Sequence, residues 1–213
     1  MSRSELLQRI FRYFRLKRMR LFEQAFPITS ETRVLDVGGS PEIWEFAKVR
    51  PRLTILNLEA ALPREAAGTA LVAGDGCFLP FRDGAFDIVF SNSVIEHVGD
   101  REAQQAFARE IVRVGRSYWV QTPNRRFPFE LHLMLPLVHF LPKRIQQAIV
   151  SRFTVWQLLV SPGERDRRAF LDHYLSQVLL LDRAALASLF PQSRILAERS
   201  FGLRKSLIAL KIG

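Results

Sequence analysis

Apolar residues recur at helical spacing near the start of the chain and then give way to short apolar runs. Residues 4–26 carry Leu, Ile and Phe on one broad face and several arginines away from it, and Pro27 marks the end of this pattern. The spacing predicts one long amphipathic helix at the N-terminus.

Short apolar runs alternate with helical patterns over most of the remaining chain. We predict strands at residues 34–37, 53–58, 70–73, 86–90 and 117–121, and a helix at residues 102–114. This alternation is typical of a parallel sheet with crossover helices. Two final strands, 194–199 and 206–211, are joined by a short connection, which predicts an antiparallel hairpin at the sheet edge. We therefore expect an α/β fold with a seven-stranded, mostly parallel sheet.

The regular alternation is interrupted between residues 125 and 176, where four prolines divide a segment rich in apolar, aromatic and basic residues. Asp182 then provides a candidate N-cap for a short helix. We interpret residues 1–213 as a single domain, with an N-terminal helix at 1–27 and a substrate lid at 125–176. The alternative is that residues 125–176 form a helical subdomain that only packs over the sheet.

Composition and charge narrow the classes of protein to consider. The 213 residues are 48% apolar and 24% charged, which suits one folded domain. Cys77 is the single cysteine, so intrachain disulfides and cysteine-based zinc sites are excluded, and a cytoplasmic location is expected. The longest apolar stretch, 131–142, is shorter than the roughly 20 residues of a membrane span. The net charge of +10 suggests an anionic partner, unless the arginine content reflects genome composition.

Polar and glycine residues follow the first predicted strand in the run Asp36-Val37-Gly38-Gly39-Ser40. Glycines allow a sharp turn and a close approach of the backbone to a ligand, and the Asp36 carboxylate could accept hydrogen bonds from a cationic ligand. The run departs from the dinucleotide-binding pattern, which favours another ligand. A plain strand-to-helix turn is the alternative.

The second and third predicted strands also end in polar residues. In Asn57-Leu58-Glu59, either Asn57 or Glu59 could bind ribose hydroxyls, since alternate side chains share a face. In the run Gly74-Asp75-Gly76-Cys77, the Asp75 carboxylate could accept the exocyclic amine of an adenine. A solvated acid and an ordinary turn are the respective alternatives.

Candidate catalytic residues follow the fourth and fifth strands. The fourth strand ends at Ser91-Asn92 and is followed by His97, which could border a cofactor or act on a substrate. Glu130 and His132 share one face of an extended segment and could bind a metal or deprotonate a hydroxyl. We predict no metal site, because a metal needs three or more ligands. The alternative for all three residues is ordinary packing or a loop contact.

In their order and spacing, these motifs resemble the class I S-adenosylmethionine-dependent methyltransferases, in particular the type 11-like, small-molecule members. The resemblance covers residues 32–124 and 182–211. "VLDVGGSPEIW" looks like the first motif of the family, "GDGCFLPF" like the adenine-binding motif, "FDIVFSNSVIEHV" like the fourth-strand motif and "QTPNRRFPFELH" like a fifth-strand ending. Asn57 stands where the family usually has its ribose-binding acid, unless Glu59 substitutes.

The resemblance implies a Rossmann-like fold, S-adenosyl-L-methionine as cofactor and methyl transfer as the reaction. A sulfonium methyl group is already electrophilic, so a general base is needed only for an acceptor such as a hydroxyl. The implied catalytic residues are His97, Glu130 and His132. The implied cofactor-binding residues are Asp36, Gly38, Gly39, Ser40, Asn57, Leu58, Glu59, Asp75, Gly76, Cys77, Ser91 and Asn92.

The acceptor is expected to be a small or lipid-like molecule, because the lid is strongly apolar. The basic N-terminal helix would add peripheral membrane contact, whereas the alternative is that this helix packs on the fold. RNA methylation is a second hypothesis, suggested by the charge. It is disfavoured because Ser91-Asn92-Ser93-Val94 stands where base-amine methyltransferases often carry an Asn/Asp-Pro-Pro-aromatic run. A non-catalytic cofactor-binding protein is a third.

Overall fold

A seven-stranded sheet forms the centre of the molecule in the computed structural model, which describes residues 3–64, 66–130, 135–152, 178–200 and 202–213. Its strands are β1 (Arg33–Val37), β2 (Arg52–Asn57), β3 (Thr69–Ala73), β4 (Phe86–Asn92), β5 (Gly115–Pro123), β8 (Arg194–Ser200) and β9 (Leu203–Lys211). Residues Phe129–Glu130 (β6) and Leu135–Pro136 (β7) form a separate two-stranded hairpin. The helices are α1 (Arg3–Ala25), α2 (Arg101–Val114), α3 (Lys143–Arg152) and α4 (Arg183–Leu189).

The sheet order is β3-β2-β1-β4-β5-β9-β8. Strands β1 to β5 pair in parallel, and β9 pairs antiparallel with both β5 and β8. This arrangement confirms the predicted mostly parallel sheet with its antiparallel C-terminal hairpin. The carboxyl ends of β1 to β5 meet at one edge, and the order reverses between β1 and β4, which is where open α/β sheets bind ligands.

Apolar layers cover both faces of the sheet, because alternate side chains of each buried strand point to opposite sides. The end of α1 and a 3₁₀ turn at Pro41–Phe46 cover one face, where the Phe22 ring lies 4.9 Å from Phe90 and 5.7 Å from Trp119. Helices α2 and α4 cover the other face. The second half of α1 therefore packs on the sheet.

Short turns connect several of the strands and helices. The segment that begins at Pro41 is a 3₁₀ turn, and another 3₁₀ turn, Ile95–His97, precedes α2. Asp182 caps α4 as predicted, by accepting a hydrogen bond from the backbone NH of Ala185 at 3.0 Å. The interrupted segment contains β6, β7 and α3, while its residues 131–134 and 153–177 lie outside the described residues. Among the described helices, none combines the length and apolar character needed to cross a bilayer.

Candidate functional site

A cavity of about 410 Å³ lies at the carboxyl ends of β1 to β4. Its volume falls within the range of pockets that bind small molecules and cofactors. The polar groups of its wall come from three strand ends and from the segment after β4. The lining residues are Val37, Gly38, Leu56, Asn57, Leu58, Gly74, Asp75, Gly76, Ser93, Val94, His97, Val98 and Phe107.

The turn after β1 forms one wall of this cavity and requires glycine at two positions. Gly38 has a φ of +72°, and its NH donates to the Leu56 carbonyl at 2.7 Å. A Cβ atom on Gly39 would lie 2.0 Å from the Asp36 carboxylate. The Asn57 side-chain amide donates to the Gly39 carbonyl at 3.0 Å and ties this turn to the end of β2. Glycine is therefore required at position 38 by the backbone conformation and at position 39 by the space that the Asp36 carboxylate occupies.

Asp36 lies beneath the glycine turn and is not among the residues that line the cavity. Its carboxylate is fully buried, and one oxygen, Oδ2, accepts a hydrogen bond from the indole NH of Trp44 at 2.7 Å. The other oxygen, Oδ1, has no hydrogen-bond partner among the residues that the structure describes. Burial raises the pKa of Asp36 to about 7, although the Trp44 hydrogen bond opposes this shift. The group is therefore poised to titrate near neutral pH.

The end of β2 separates the two candidate ribose ligands. Asn57 and Leu58 line the cavity, and the Leu58 side chain is 61% exposed. Glu59 begins a short 3₁₀ turn, is exposed to solvent and is not part of the lining. Asn57 is thus the polar side chain that β2 presents to the cavity.

The loop after β3 places Asp75 and Gly76 in the lining. One oxygen of Asp75 accepts a hydrogen bond from the Cys77 NH at 2.8 Å, which fixes the direction of the carboxylate. A Cβ on Gly76 would lie 2.7 Å from the Phe107 ring. The Cys77 thiol donates instead to the Ala103 carbonyl, outside the lining. Burial and the nearby Asp75 charge raise the pKa of this thiol to about 11.

His97 is the titratable ring in the cavity wall. Its Nε2 lies 4.0 Å from Oε1 of Glu96, and the side chain is 28% exposed. Glu96 is buried, and its other oxygen accepts a hydrogen bond from the Thr122 hydroxyl at 3.0 Å. The buried Glu96 carboxylate therefore lies beside the imidazole of His97. An imidazole in a cavity wall is a side chain that could exchange a proton with a bound group.

The remaining predicted residues lie beside the cavity or beyond the described side chains. The Ser91 hydroxyl donates to the Val37 carbonyl, and Asn92 contacts α1 instead of the cavity. Ser40 precedes the 3₁₀ turn. Glu130 belongs to β6, with its side chain outside the described part, and His132 lies outside the described residues. In the part of the chain that the structure describes, no group of three acidic, His or Cys side chains could hold a metal ion.

The sequence did not predict the buried network of Arg18, Glu198 and Asn92 that the structure contains. The Arg18 guanidinium donates to both oxygens of Glu198, at 3.1 and 2.9 Å, and to the Asn92 side chain at 2.5 Å. Lys205 lies next to it with its ammonium 3.2 Å from the Phe14 ring, and burial lowers the pKa of Lys205 to about 8. No local pattern could have indicated a pair separated by 180 positions.

Ser93 and Val94 line the cavity after β4 and were not among the predicted site residues. Ser93 has a φ of 57°, and its hydroxyl donates a hydrogen bond to the Gln121 side-chain oxygen at 2.9 Å. Val94 packs against Gly38, where its methyl groups would lie 2.6 and 2.7 Å from an added Cβ. Their position directly after a strand end was the available signal.

The sequence relatives of this chain are methyltransferases. Residues 45–117 match the family model described as a methyltransferase domain. An uncharacterized methyltransferase from Mycobacterium sp. (strain JLS) is 37% identical over 89 residues, which cover 39% of this chain. The match covers 34% of the length of that relative, so the chain corresponds to about a third of it.

Solved structures share the fold at low sequence identity. A putative O-methyltransferase from Nostoc punctiforme gives a TM-score of 0.55 at 12% identity, covering 98% of this chain and 58% of its own. The structure of a complex between the Trm112 methyltransferase activator and a putative methyltransferase from Haloferax volcanii gives a TM-score of 0.53 at 10% identity. The similarity covers 92% of this chain and 92% of the matched chain. These similarities identify the architecture as the Rossmann-like one.

Proposed function

We propose that this chain, whose residues 45–117 match a methyltransferase domain, is a class I S-adenosylmethionine-dependent methyltransferase that transfers a methyl group to a small or lipid-like acceptor. The observation that carries the proposal is the cavity at the carboxyl ends of β1 to β4, with Asn57 and Asp75 in its wall. As one domain, the chain would work in the cytoplasm, with residues 125–176 as the lid over the acceptor.

The residues of the cavity fit the cofactor. Gly38 and Gly76 bring backbone close to the ligand space, and a side chain at either position would collide with Val94 or Phe107. Asn57 and Asp75 supply polar groups, while Leu56, Leu58 and Val98 supply apolar surface for a ring. A cleft with apolar walls and a few directed polar groups suits a nucleoside.

In this proposal each polar residue has one role. The bound cofactor supplies an electrophilic methyl group. Asn57 binds the ribose hydroxyls, Asp75 accepts the adenine amine, and the Gly38 turn forms the floor. Asp36 supports that turn from below through Trp44 and Gly39, as a positioning residue. His97 accepts the proton of an acceptor hydroxyl or amine, with Glu96 stabilising the imidazolium that results.

The described part of the lid supports an apolar acceptor. Within residues 137–149, five large apolar side chains are at least one-third exposed, namely Leu137, Phe140, Leu141, Ile145 and Ile149. Basic residues Lys143 and Arg144 lie among them. Clustered apolar exposure beside positive charge is typical of surfaces that contact lipids or other amphiphiles. This surface would hold the apolar part of an acceptor or rest on a membrane that contains it.

Calorimetric titration of the full chain with S-adenosylmethionine tests the cofactor assignment. We expect binding by the native chain and about tenfold or greater weakening in Asp75→Asn and Asn57→Ala, because each loses a directed polar contact. Glu59→Gln is the matched control, since Glu59 is the neighbouring acid outside the lining. No binding by the native chain at millimolar ligand would refute the proposal, and weakening by Glu59→Gln alone would move the ribose contact to Glu59.

The acceptor is tested with cofactor labelled in its methyl group. The native chain is incubated with a cell extract, and label is measured in lipid, small-molecule, RNA and protein fractions. We expect label in the lipid or small-molecule fraction, and a loss of about 10² to 10⁴-fold in His97→Gln if this residue is the base. Label confined to RNA or protein would refute the proposed acceptor class.

A further inference from the structure

Four arginines line a second cleft, which lies at the same edge of the sheet as the cofactor cavity. The cleft has a volume of about 710 Å³. Arg126 follows β5, Arg183 begins α4, and Arg199 and Arg204 belong to the β8–β9 hairpin. Since three separate elements supply these side chains, the fold and not the local sequence brings them together.

The positive charge of this arginine cleft is largely uncompensated. Arg126 approaches the Asp182 carboxylate at 3.5 Å. Among the described residues, the ion pairs include none of Arg183, Arg199 and Arg204. Arg183 donates to the Ile195 carbonyl at 3.0 Å, and Arg199 to the Gly202 carbonyl at 3.4 Å. These bonds orient two guanidinium groups without neutralising them.

Apolar residues supply most of the remaining surface of the arginine cleft. Phe127, Pro128, Ala184, Ala187 and Leu207 contribute to its lining, and the polar Asn124 side chain there is bonded to backbone groups. Leu207 is buried, and Phe127 and Pro128 are half-buried. A ligand that carries both a strong anion and an apolar portion would match this combination of walls. A simple polyanion would leave the apolar part of the lining unused.

We infer that the arginine cleft binds the phosphate group of an amphiphilic acceptor. Guanidinium groups form paired hydrogen bonds to phosphate oxygens. A cluster of several guanidinium groups supplies more positive charge than a single carboxylate ligand would need, which favours a phosphate. The inference deepens the proposed function and depends on it only for the claim that the phosphate-bearing molecule is the methyl acceptor.

The position of the arginine cleft sets the size of that acceptor. Strands β4 and β5 separate β1, beside the cofactor cavity, from β9, beside the arginine cleft. Three strand spacings correspond to roughly 14 Å. A bound phosphate and a methylated atom would therefore lie on the order of 10 to 15 Å apart. A phosphorylated headgroup with the first part of a chain spans that distance, whereas inorganic phosphate does not.

Binding to vesicles and to phosphate tests the inference on the full chain. Sedimentation compares vesicles of phosphatidylcholine with vesicles that also contain phosphatidic acid, and calorimetry measures inorganic phosphate. We expect both phosphatidic acid vesicles and phosphate to bind the native chain, the vesicles more tightly. The variant Arg199→Gln/Arg204→Gln should bind both about tenfold more weakly.

The matched control is Arg82→Gln/Arg194→Gln, which removes the same charge from exposed positions outside the arginine cleft. We expect less than a twofold change in this variant. Equal weakening in both variants would overturn the inference, because it would show nonspecific charge attraction. If the native chain binds phosphate but does not bind phosphatidic acid vesicles more tightly, the proposal of an amphiphilic ligand is wrong. Selective binding of an RNA oligonucleotide would instead identify nucleic acid as the ligand. Titration of the same samples with S-adenosylmethionine separates these failures from failure of the proposed function.

Discussion

Replacing Asp36 by Asn should stabilise the protein increasingly as the pH rises from 4 to 8. In the native chain, folding places this carboxylate in a fully buried site. One oxygen accepts a hydrogen bond from Trp44, and the other has no partner within the described part of the chain. Burial disfavours the charged form, so the pKa rises from 3.8 to about 7. An Asn side chain keeps an oxygen for the Trp44 hydrogen bond but carries no charge.

The sign and size of the effect follow from the two pKa values of Asp36. Below pH 4 the carboxyl is protonated in both the folded and the unfolded chain, and the native protein has its full stability. As the pH rises towards 7, the unfolded state releases its proton and the folded state resists, so the free energy of unfolding falls by up to about 4 kcal/mol. The loss levels off about one pH unit above the pKa of the folded state and is constant at higher pH.

Urea denaturation at pH 5 and pH 8 measures the difference between Asp36→Asn and the native chain. We expect this difference in the free energy of unfolding to be larger at pH 8 than at pH 5. A pH-independent effect of the substitution would shift both values equally and would not alter this comparison. Asp87→Asn is the control, because Arg33 lowers the pKa of Asp87 and its contribution is already complete at pH 5. Its difference should not change between pH 5 and 8. An equally flat difference for Asp36→Asn would refute the argument that a buried, partly unpaired carboxylate titrates near neutrality.

Three further predictions test the same region. Gly39→Ala should weaken S-adenosylmethionine binding at least about tenfold in calorimetry, because its Cβ would lie 2.0 Å from the Asp36 carboxylate; native affinity would contradict this packing. Arg18→Met should lower the free energy of urea unfolding by about 3 to 5 kcal/mol, because it leaves Glu198 buried without its cation, and adding Glu198→Gln should restore part of the loss. Cys77 should react slowly with iodoacetamide at pH 8 in the folded chain, since its pKa is raised to about 11, and rapid alkylation would show that the thiol is accessible and ionised.

Local patterns in the sequence were enough to predict the sheet and most of its strand ends. Apolar runs of four to six residues, separated by helical spacing, favour a parallel sheet with crossover connections, and strands β1 to β5 do pair in parallel. Once strands run parallel, their carboxyl ends share an edge. The sequence alone therefore predicts that Gly38, Asn57 and Asp75 lie close together, as they do in the cavity wall.

Side-chain direction and long-range charge pairing were decided by the tertiary structure alone. Asp36 was expected to face a ligand, but the strand register and the Trp44 turn direct its carboxylate under Gly39. The choice between Asn57 and Glu59 depended on where β2 ends and a 3₁₀ turn begins. Such details depend on how side chains pack and on the residue at which each element ends, and neither leaves a periodic signal in the sequence.

The arginine cleft and the Arg18 network have the same origin. Arg126 and Arg204 are neighbours because Asn124 pairs with the backbone of the last hairpin, with its side chain donating to the Arg204 carbonyl at 2.8 Å. Sequence alone determined that the chain is basic and folds around a parallel sheet. Only the packing of the hairpin against the end of β5 places part of this charge in a cleft. The physical reason is that folding, and not the order of residues in the sequence, determines which charged side chains become neighbours.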